Sequence, residues 1–542
     1  MRKKLSDLIR EYHLTYYLIF AIILCVIRKI ILFHQSQDPF SPPGSLTYTI
    51  CNLFITIAML LLFTFVSYAS VISKLYNKQT GRSYWKDSRK YMRGYRDLVT
   101  YFRDADPGKL DPETLPEMSW QESSGLVFGK SGSRLISYEP RKDGIVAMVW
   151  GAPGDGKTTS TIIPSCRQFG MIRTKSGHMS QQGSVMVTDL KGDIYEANRE
   201  YRHIKRFSTI DWKNSAHYDP LVDARKMKVS DRAVYLENLS ITLIPDEESA
   251  ESKYFIDGAR DFFTGISLYL LNQDPDISFP EIVQQIVIGN YVKWVTDIMQ
   301  SDDIASQAYT NHFYGENEKN VSGTYSKLVS SVRLFNNDIM LTLLSNHGDM
   351  ISPADLENCI DIYLQVDPNQ ITLMGPLISM IYQGFLSAML YRMPGQQPPI
   401  AFIIDEFGQI PAMPVIKQSA ALLRAYNCSL MFSCQSLAMV EDHYGIAGRK
   451  LLMDCVKVNC FLSIMDPDTR DWASRLIGTR KVLSVSTSSQ NSDNPSNGSN
   501  VSENRERIYE PEAFGNLPNE DAVIIYYNGK YIKAEKTYYF KD

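Results

Sequence analysis

The sequence predicts an α/β fold: a parallel sheet that grips a phosphate, interrupted by an all-α insertion and preceded by a transmembrane helical hairpin. Three observations carry that expectation. MVWGAPGDGKTTSTIIPS (Met148–Ser165) runs from an apolar strand into a glycine-rich turn ending in Lys-Thr-Thr. IAFIIDEFGQIP (Ile400–Pro411) is a second apolar strand ending in paired carboxylates, and apolar runs fill most of residues 14–73. A chain of 542 residues has room for an anchor and more than one soluble domain. Its 44% hydrophobic content places most of the mass outside a bilayer, and a net charge of −4 excludes a protein that coats DNA by bulk attraction. Eight scattered cysteines, none in a C-x-x-C pair, read as buried reduced thiols and give no support to a metal site.

In chain order, the anchor comes first. Leu14–Ile27 is nearly all apolar before Arg28 and Lys29 interrupt it, and Ile30–Phe33 resumes the run. Ser45–Ser73 carries no charge and is long enough to span the hydrocarbon. Two spans are expected, about 12–33 and 46–72, within an anchor of residues 1–75. Arg2, Lys3, Lys4 and Arg10 precede them, and Lys74, Lys78, Arg82 and Lys86 follow. The connector His34–Leu46 has neither Lys nor Arg, so both termini belong in the cytoplasm.

Gly151, Ala152, Pro153, Gly154, Asp155, Gly156, Lys157 and Thr158 fit G-x-x-x-x-G-K-[ST], after a strand and before a helix that Thr159 opens. In that setting backbone N–H groups and a helix N-terminus cradle the phosphates of ATP. Lys157 reaches the β and γ oxygens, and Thr158 binds Mg²⁺. SVMVTDLKGD (Ser184–Asp193) is a further strand, ending at Asp189 and Lys191. Residues 227–350 then hold eight Lys/Arg against eighteen Asp/Glu, a net of −10, in helical patterns such as GARDFFTGISLYLL and EIVQQIVIGNYVKWVTDIM. This is the all-α insertion, dividing the sheet domain into residues 76–226 and 351–542. After it, Asp405 would hold Mg²⁺ through water and Glu406 would polarise the water that attacks the γ-phosphate. CSLMFSCQS (Cys428–Ser436) ends at Gln435, placed to sense the γ-phosphate. The serine- and asparagine-rich stretch 484–503 reads as a flexible loop.

Taken together these pieces resemble the type IV coupling proteins, the TraG/TraD-like membrane ATPases of conjugation and type IV secretion. The match runs in order through the phosphate loop, DLKGD (Asp189–Asp193), YFIDGARDFF (Tyr254–Phe263), IIDEFGQIP (Ile403–Pro411), LLRAYNCSLMFSCQS (Leu422–Ser436), DPDTRDWASRLIG (Asp466–Gly478) and YYNGKYIKAEKTYYF (Tyr526–Phe540). The resemblance implies a RecA-like motor and a hexameric ring on the bacterial inner membrane. It also implies delivery of relaxase-bound DNA or effector proteins to a secretion channel. Within it, Arg424 of PVIKQSAALLRAYN corresponds to an arginine that reaches the neighbouring subunit's nucleotide. The chain departs from the pattern at Leu190, where proline is usual, in its interrupted first span, and in ending at Asp542 without an acidic or adaptor-binding tail. Two alternatives stay open at this point: a DNA pump of the FtsK kind, and a membrane receptor that binds ATP but scarcely hydrolyses it.

Overall fold

Apolar strands with no alternation signal a sheet covered on both faces, and that is what forms. The computed structural model describes Thr49, Leu53, Thr56, Ile57 and, from Leu115 to Phe540, all residues but 116, 119–121, 140–142, 175–176, 247–249, 395–397, 490–496, 516 and 518–521; side chains of 250–252 and 481–504 are not described. The expected transmembrane hairpin lies almost wholly outside these residues. Among them, one helical segment is long and apolar enough to cross a bilayer, Pro368–Met389, and its α-helix Ile371–Met389 is a core helix with Leu377, Ile378, Tyr382 and Phe385 buried.

The strands, in chain order, are β1 (Glu117–Met118), β2 (Leu126–Ser131), β3 (Arg134–Tyr138), β4 (Val146–Trp150), β5 (Met171–Arg173), β6 (Met179–Gln181), β7 (Ser184–Thr188) and β8 (Ile204–Ser208). They continue with β9 (Asp361–Gln365), β10 (Ile400–Ile404), β11 (Cys428–Cys434), β12 (Val458–Phe461), β13 (Thr479–Ser489), β14 (Asn497–Arg507), β15 (Ala522–Tyr527) and β16 (Lys530–Glu535). Twelve of them make one sheet in the order β1-β3-β2-β16-β15-β12-β4-β11-β10-β7-β9-β8. From β12 to β8 every pairing is parallel; β15, β16, β2, β3 and β1 extend the sheet antiparallel. Every residue of β4, β7, β9, β10, β11 and β12 is buried, as parallel sheets require.

Alternate residues feed two cores. Met148, Trp150, Met186, Phe402 and Phe432 face one side, with Ile371–Met389 and the insertion packed against them. Ala147, Val149, Val185, Ile403 and Met431 face the other, against Ile162, Ile163 and Cys166 of the helix after the phosphate loop.

Between β8 and β9 the described residues of 227–350 form seven α-helices joined by short connections and 3-10 turns, from Val229–Leu243 to Asp338–Leu343. The insertion is closed at its neck. Outgoing His217 pairs with returning Met350: His217 N donates to Asp349 O (2.7 Å) and Ile351 N to His217 O (2.8 Å).

One helical pattern proves to be two helices, and one expectation needs correction. EIVQQIVIGNYVKWVTDIM is two helices, Phe279–Ile288 and Tyr291–Gln300. They part at Gly289, where a Cβ would fall 2.5 Å from the Trp294 indole nitrogen, and Asn290 caps the second by accepting from Val292 N. The expected flexible loop at 484–503 is largely a ribbon: β13 and β14 pair antiparallel from Thr479 opposite Arg507 to Ser489 opposite Asn497. Ladder hydrogen bonds are main-chain bonds, so a polar sequence with β-branched Val485 opposite Val501 forms them as well as an apolar one.

Candidate nucleotide-binding site

The C-terminal ends of the parallel strands share one edge, and the sequence places its chemistry there. After β4 the chain turns through Gly151–Thr158, with Gly154 and Gly156 at φ +83° and +85°, a region that favours glycine. The turn is tied down on both sides. Gly151 N donates to Cys434 O of β11 (3.2 Å), and Ala152 N donates to Ser463 O beyond β12 (2.7 Å). Lys157 folds back across the loop, donating from Nζ to Gly151 O (2.9 Å) and Ala152 O (3.2 Å), and is only 5% exposed. The first helical turn, Thr158–Ile162, is a wide π turn before Ile163–Gln168 continues as α-helix.

β11 lies between β4 and β10, so Asp405 at the end of β10 is one strand removed from the loop. It nevertheless meets it: Thr158 Oγ1 donates to Asp405 Oδ2 at 2.7 Å. The register that sets Ile404 beside Phe432 puts the next residues, Asp405 and Ser433, side by side. The Ser433 hydroxyl donates to Asp405 Oδ1. Glu406 N completes this corner, donating to Asp405 Oδ1 (3.1 Å) and Ser433 Oγ (3.2 Å), with Glu406 in the left-handed region at φ +54°. The Glu406 carboxylate accepts from Gln435 Nε2 (3.3 Å) and lies 3.7 Å from Lys191 Nζ. Asp189 turns away, accepting from Gly192 N (2.9 Å) and Tyr195 N (2.7 Å) to cap the short helix Asp193–Asn198. Burial pushes its carboxyl up to about 6 against the pull of those amides, with Asp405 adding repulsion.

Lys157, Thr158, Asp405, Glu406 and Gln435 are thus brought together. Arg424 is not. It occupies the 3-10 turn Leu423–Tyr426 entering β11 at the opposite edge of the sheet. Its carbonyl accepts from Gly144 N (2.8 Å), and its charge is felt at Tyr138, Cys455 and Lys457. Sequence reading missed Ser433, whose one signal was a small hydroxyl at the end of a fully buried strand.

A phosphate loop after a central parallel strand, with an acid-ended strand one place removed, defines a P-loop nucleotide-binding protein of RecA-like fold. The chain belongs to the family of type IV secretory system conjugative DNA transfer proteins, matching it over residues 117–542. It is 24% identical to the protein VirD4 of Rhizobium radiobacter over 437 residues, covering 77% of this chain and 60% of that one. It is 20% identical to the type IV secretion system-coupling protein VirD4 of Bartonella henselae over 454 residues, 80% of this chain and 69% of that one. The chain thus spans about three-fifths of the length of the first of these relatives. Its fold is that of the bacterial conjugative coupling protein TrwB lacking its N-terminal segment (TM-score 0.59, 15% identity, 77% of this chain and 89% of that one). TrwB solved with ADP and Mg²⁺ is similar at TM-score 0.57 and 15% identity, over 74% of this chain and 87% of that one.

Proposed function

We propose that this chain is the ATP-hydrolysing coupling protein of a type IV secretion apparatus, feeding DNA, effector proteins or both to a transenvelope channel. The observation that carries the reading is the contact between Thr158 and Asp405, which joins the phosphate loop to the acid-ended strand across β11. A hydroxyl and a carboxylate 2.7 Å apart are the hard oxygen donors that Mg²⁺ takes, so these two residues would hold it. When bound, Mg²⁺ supplies positive charge to the β and γ oxygens.

The remaining roles fall to the chain's own groups. Lys157 swings from the loop carbonyls to the γ-phosphate, a move its flexible stem permits without backbone change. Gly151, Ala152, Pro153, Gly154, Asp155, Gly156 and Thr159 supply the cradle. Glu406 takes the attacking water's proton, and Gln435, already on the Glu406 carboxylate, orients it and senses loss of the γ-phosphate. Arg424 lies at the edge away from its own loop, which supports a role toward a neighbouring subunit's nucleotide in a homohexamer. We divide the chain into an anchor at 1–75, a motor built from 76–226 and 351–542, and an acidic all-α body at 227–350 that receives basic substrate proteins such as a relaxase. The anchor fixes the motor to the inner membrane with both termini cytoplasmic.

The test is ATP hydrolysis by the full chain with and without single- and double-stranded DNA, beside Lys157→Ala. Turnover in the native chain, its loss in the variant, and loss of transfer in cells with unchanged membrane content are expected. Wild-type transfer by Lys157→Ala would overturn the reading.

A further inference from the structure

A bound nucleotide has two ends, and the contacts above mark only one. Asp405 and Glu406 place the γ-phosphate on the side of β4 that faces β11 and β10. A nucleotide laid across the loop with that end fixed would carry its base the other way, toward the side on which β12, β15 and β16 follow β4. The chain leaving β16 fills that side. Lys536 and Thr537 are buried (6% and 0% exposed), and Tyr539 N donates to Thr159 O at 3.2 Å. Arg167, from the helix that follows the loop, holds the same segment. Its Nη1 donates to Tyr539 O (3.3 Å), and its guanidinium lies 5.3 Å from the Tyr539 ring and 4.3 Å from the Tyr201 ring.

These ties set Tyr538 against the phosphate loop. A Cβ built on Gly156 would lie 3.4 Å from Tyr538 Cε1 and 3.8 Å from its hydroxyl oxygen. Phe540 backs the ring, with centroids 5.3 Å apart at a tilt of 34°. A half-buried aromatic ring bordering the loop's glycine, on the side where the base must leave, has the chemistry of a stacking platform. We infer that Tyr538 is the base-side wall of the nucleotide site and stacks on the nucleobase, which deepens the nucleotide-binding reading above and rests on it. Stacking uses the π face that every base has, so this wall holds adenine and guanine alike without reading their hydrogen-bonding edges.

The test compares ATP with inorganic tripolyphosphate, which offers the loop three phosphates and no base. Binding of each to the full chain is measured by calorimetry for wild type, Tyr538→Ala, Tyr538→Trp and Lys157→Ala. Tyr538→Ala is expected to bind ATP and GTP about ten- to hundredfold more weakly while binding tripolyphosphate as wild type does. Tyr538→Trp is expected to keep both. If Tyr538→Ala binds ATP unchanged, the ring is no platform. If it loses ATP and tripolyphosphate together, the residue merely props the loop. A wild-type chain that binds neither, like Lys157→Ala, would overturn the phosphate grip itself and the platform with it.

Discussion

One hydroxyl, that of Ser433, bears on the quality of the proposed Mg²⁺ site. It donates to Asp405 Oδ1 and also accepts from Glu406 N, so a single atom fixes both carboxylate-bearing residues. Ser433→Ala leaves a buried carboxylate oxygen with one donor fewer, and outer-sphere partners of this kind are worth about 10–100-fold in metal affinity or activity. We expect kcat to fall about tenfold and the Mg²⁺ concentration for half-maximal ATP hydrolysis to rise. A Mg²⁺ titration of both proteins checks this, and coincident curves would deny Ser433 the role. The phosphate loop was legible in the sequence because its eight residues are contiguous and their chemistry is local. Ser433 and Tyr538 were not, because one acts through the register of two strands and the other through a segment almost four hundred residues from the loop.

Among elements, the N-terminal ends of β7, β8 and β9 are held by one buried ion pair. Arg202 and Asp361 have side chains at 0% exposure; Arg202 also donates to Phe169 O (2.7 Å) and Gly183 O (3.2 Å), while Asp361 Oδ1 accepts from Val185 N (2.9 Å). Arg202→Met strands that carboxylate in the core, at a cost of about 3–5 kcal/mol. Urea unfolding should show a midpoint lowered accordingly, and an unchanged midpoint would mean the pair is not structural. In the insertion, burial, with repulsion from Asp257 and Glu237, pushes the Asp261 carboxyl from 3.8 up to about 6, with His312 3.6 Å away. An acid whose folded pKa exceeds its unfolded one stabilises the fold below the lower value and loses that contribution as pH rises through the higher. Relative to wild type, Asp261→Asn should therefore gain thermal stability between about pH 4 and pH 6. An offset independent of pH would contradict the shift. Strands β4, β7, β10 and β11 could be read from composition because burial on both faces leaves an unbroken apolar run, whereas the edge strand β8, IKRFS, is partly exposed and carries two charges. The break at Gly289 and the β13–β14 ribbon could not, since one depends on the Trp294 ring and the other on main-chain pairing to which polarity is blind.

At the scale of the whole molecule, the proposed ring turns on Arg424. In its own chain it lies across the sheet from the phosphate loop, so hydrolysis that needs it needs a neighbour. Removing such a guanidinium costs on the order of a thousandfold in rate. Mixing two inactive variants, Arg424→Ala and Lys157→Ala, should restore part of the ATPase activity, because some interfaces then pair an intact loop with an intact arginine. Mixed oligomers that form yet stay silent would sink the assignment. The sequence carried this idea only through the resemblance, since no contact within one chain can disclose a residue that works on another.

The neck at His217 and Met350 bears on how such chains diversify. Because the outgoing and returning segments meet there, whatever lies between them enters and leaves the sheet domain at a single point, while it packs on one face of the sheet. An exchange of the segment between those points keeps β8 and β9 paired so long as the new segment covers the same face of the sheet. On the proposed division of the chain, the body that receives substrate can then change in sequence without disturbing the residues that grip the phosphate.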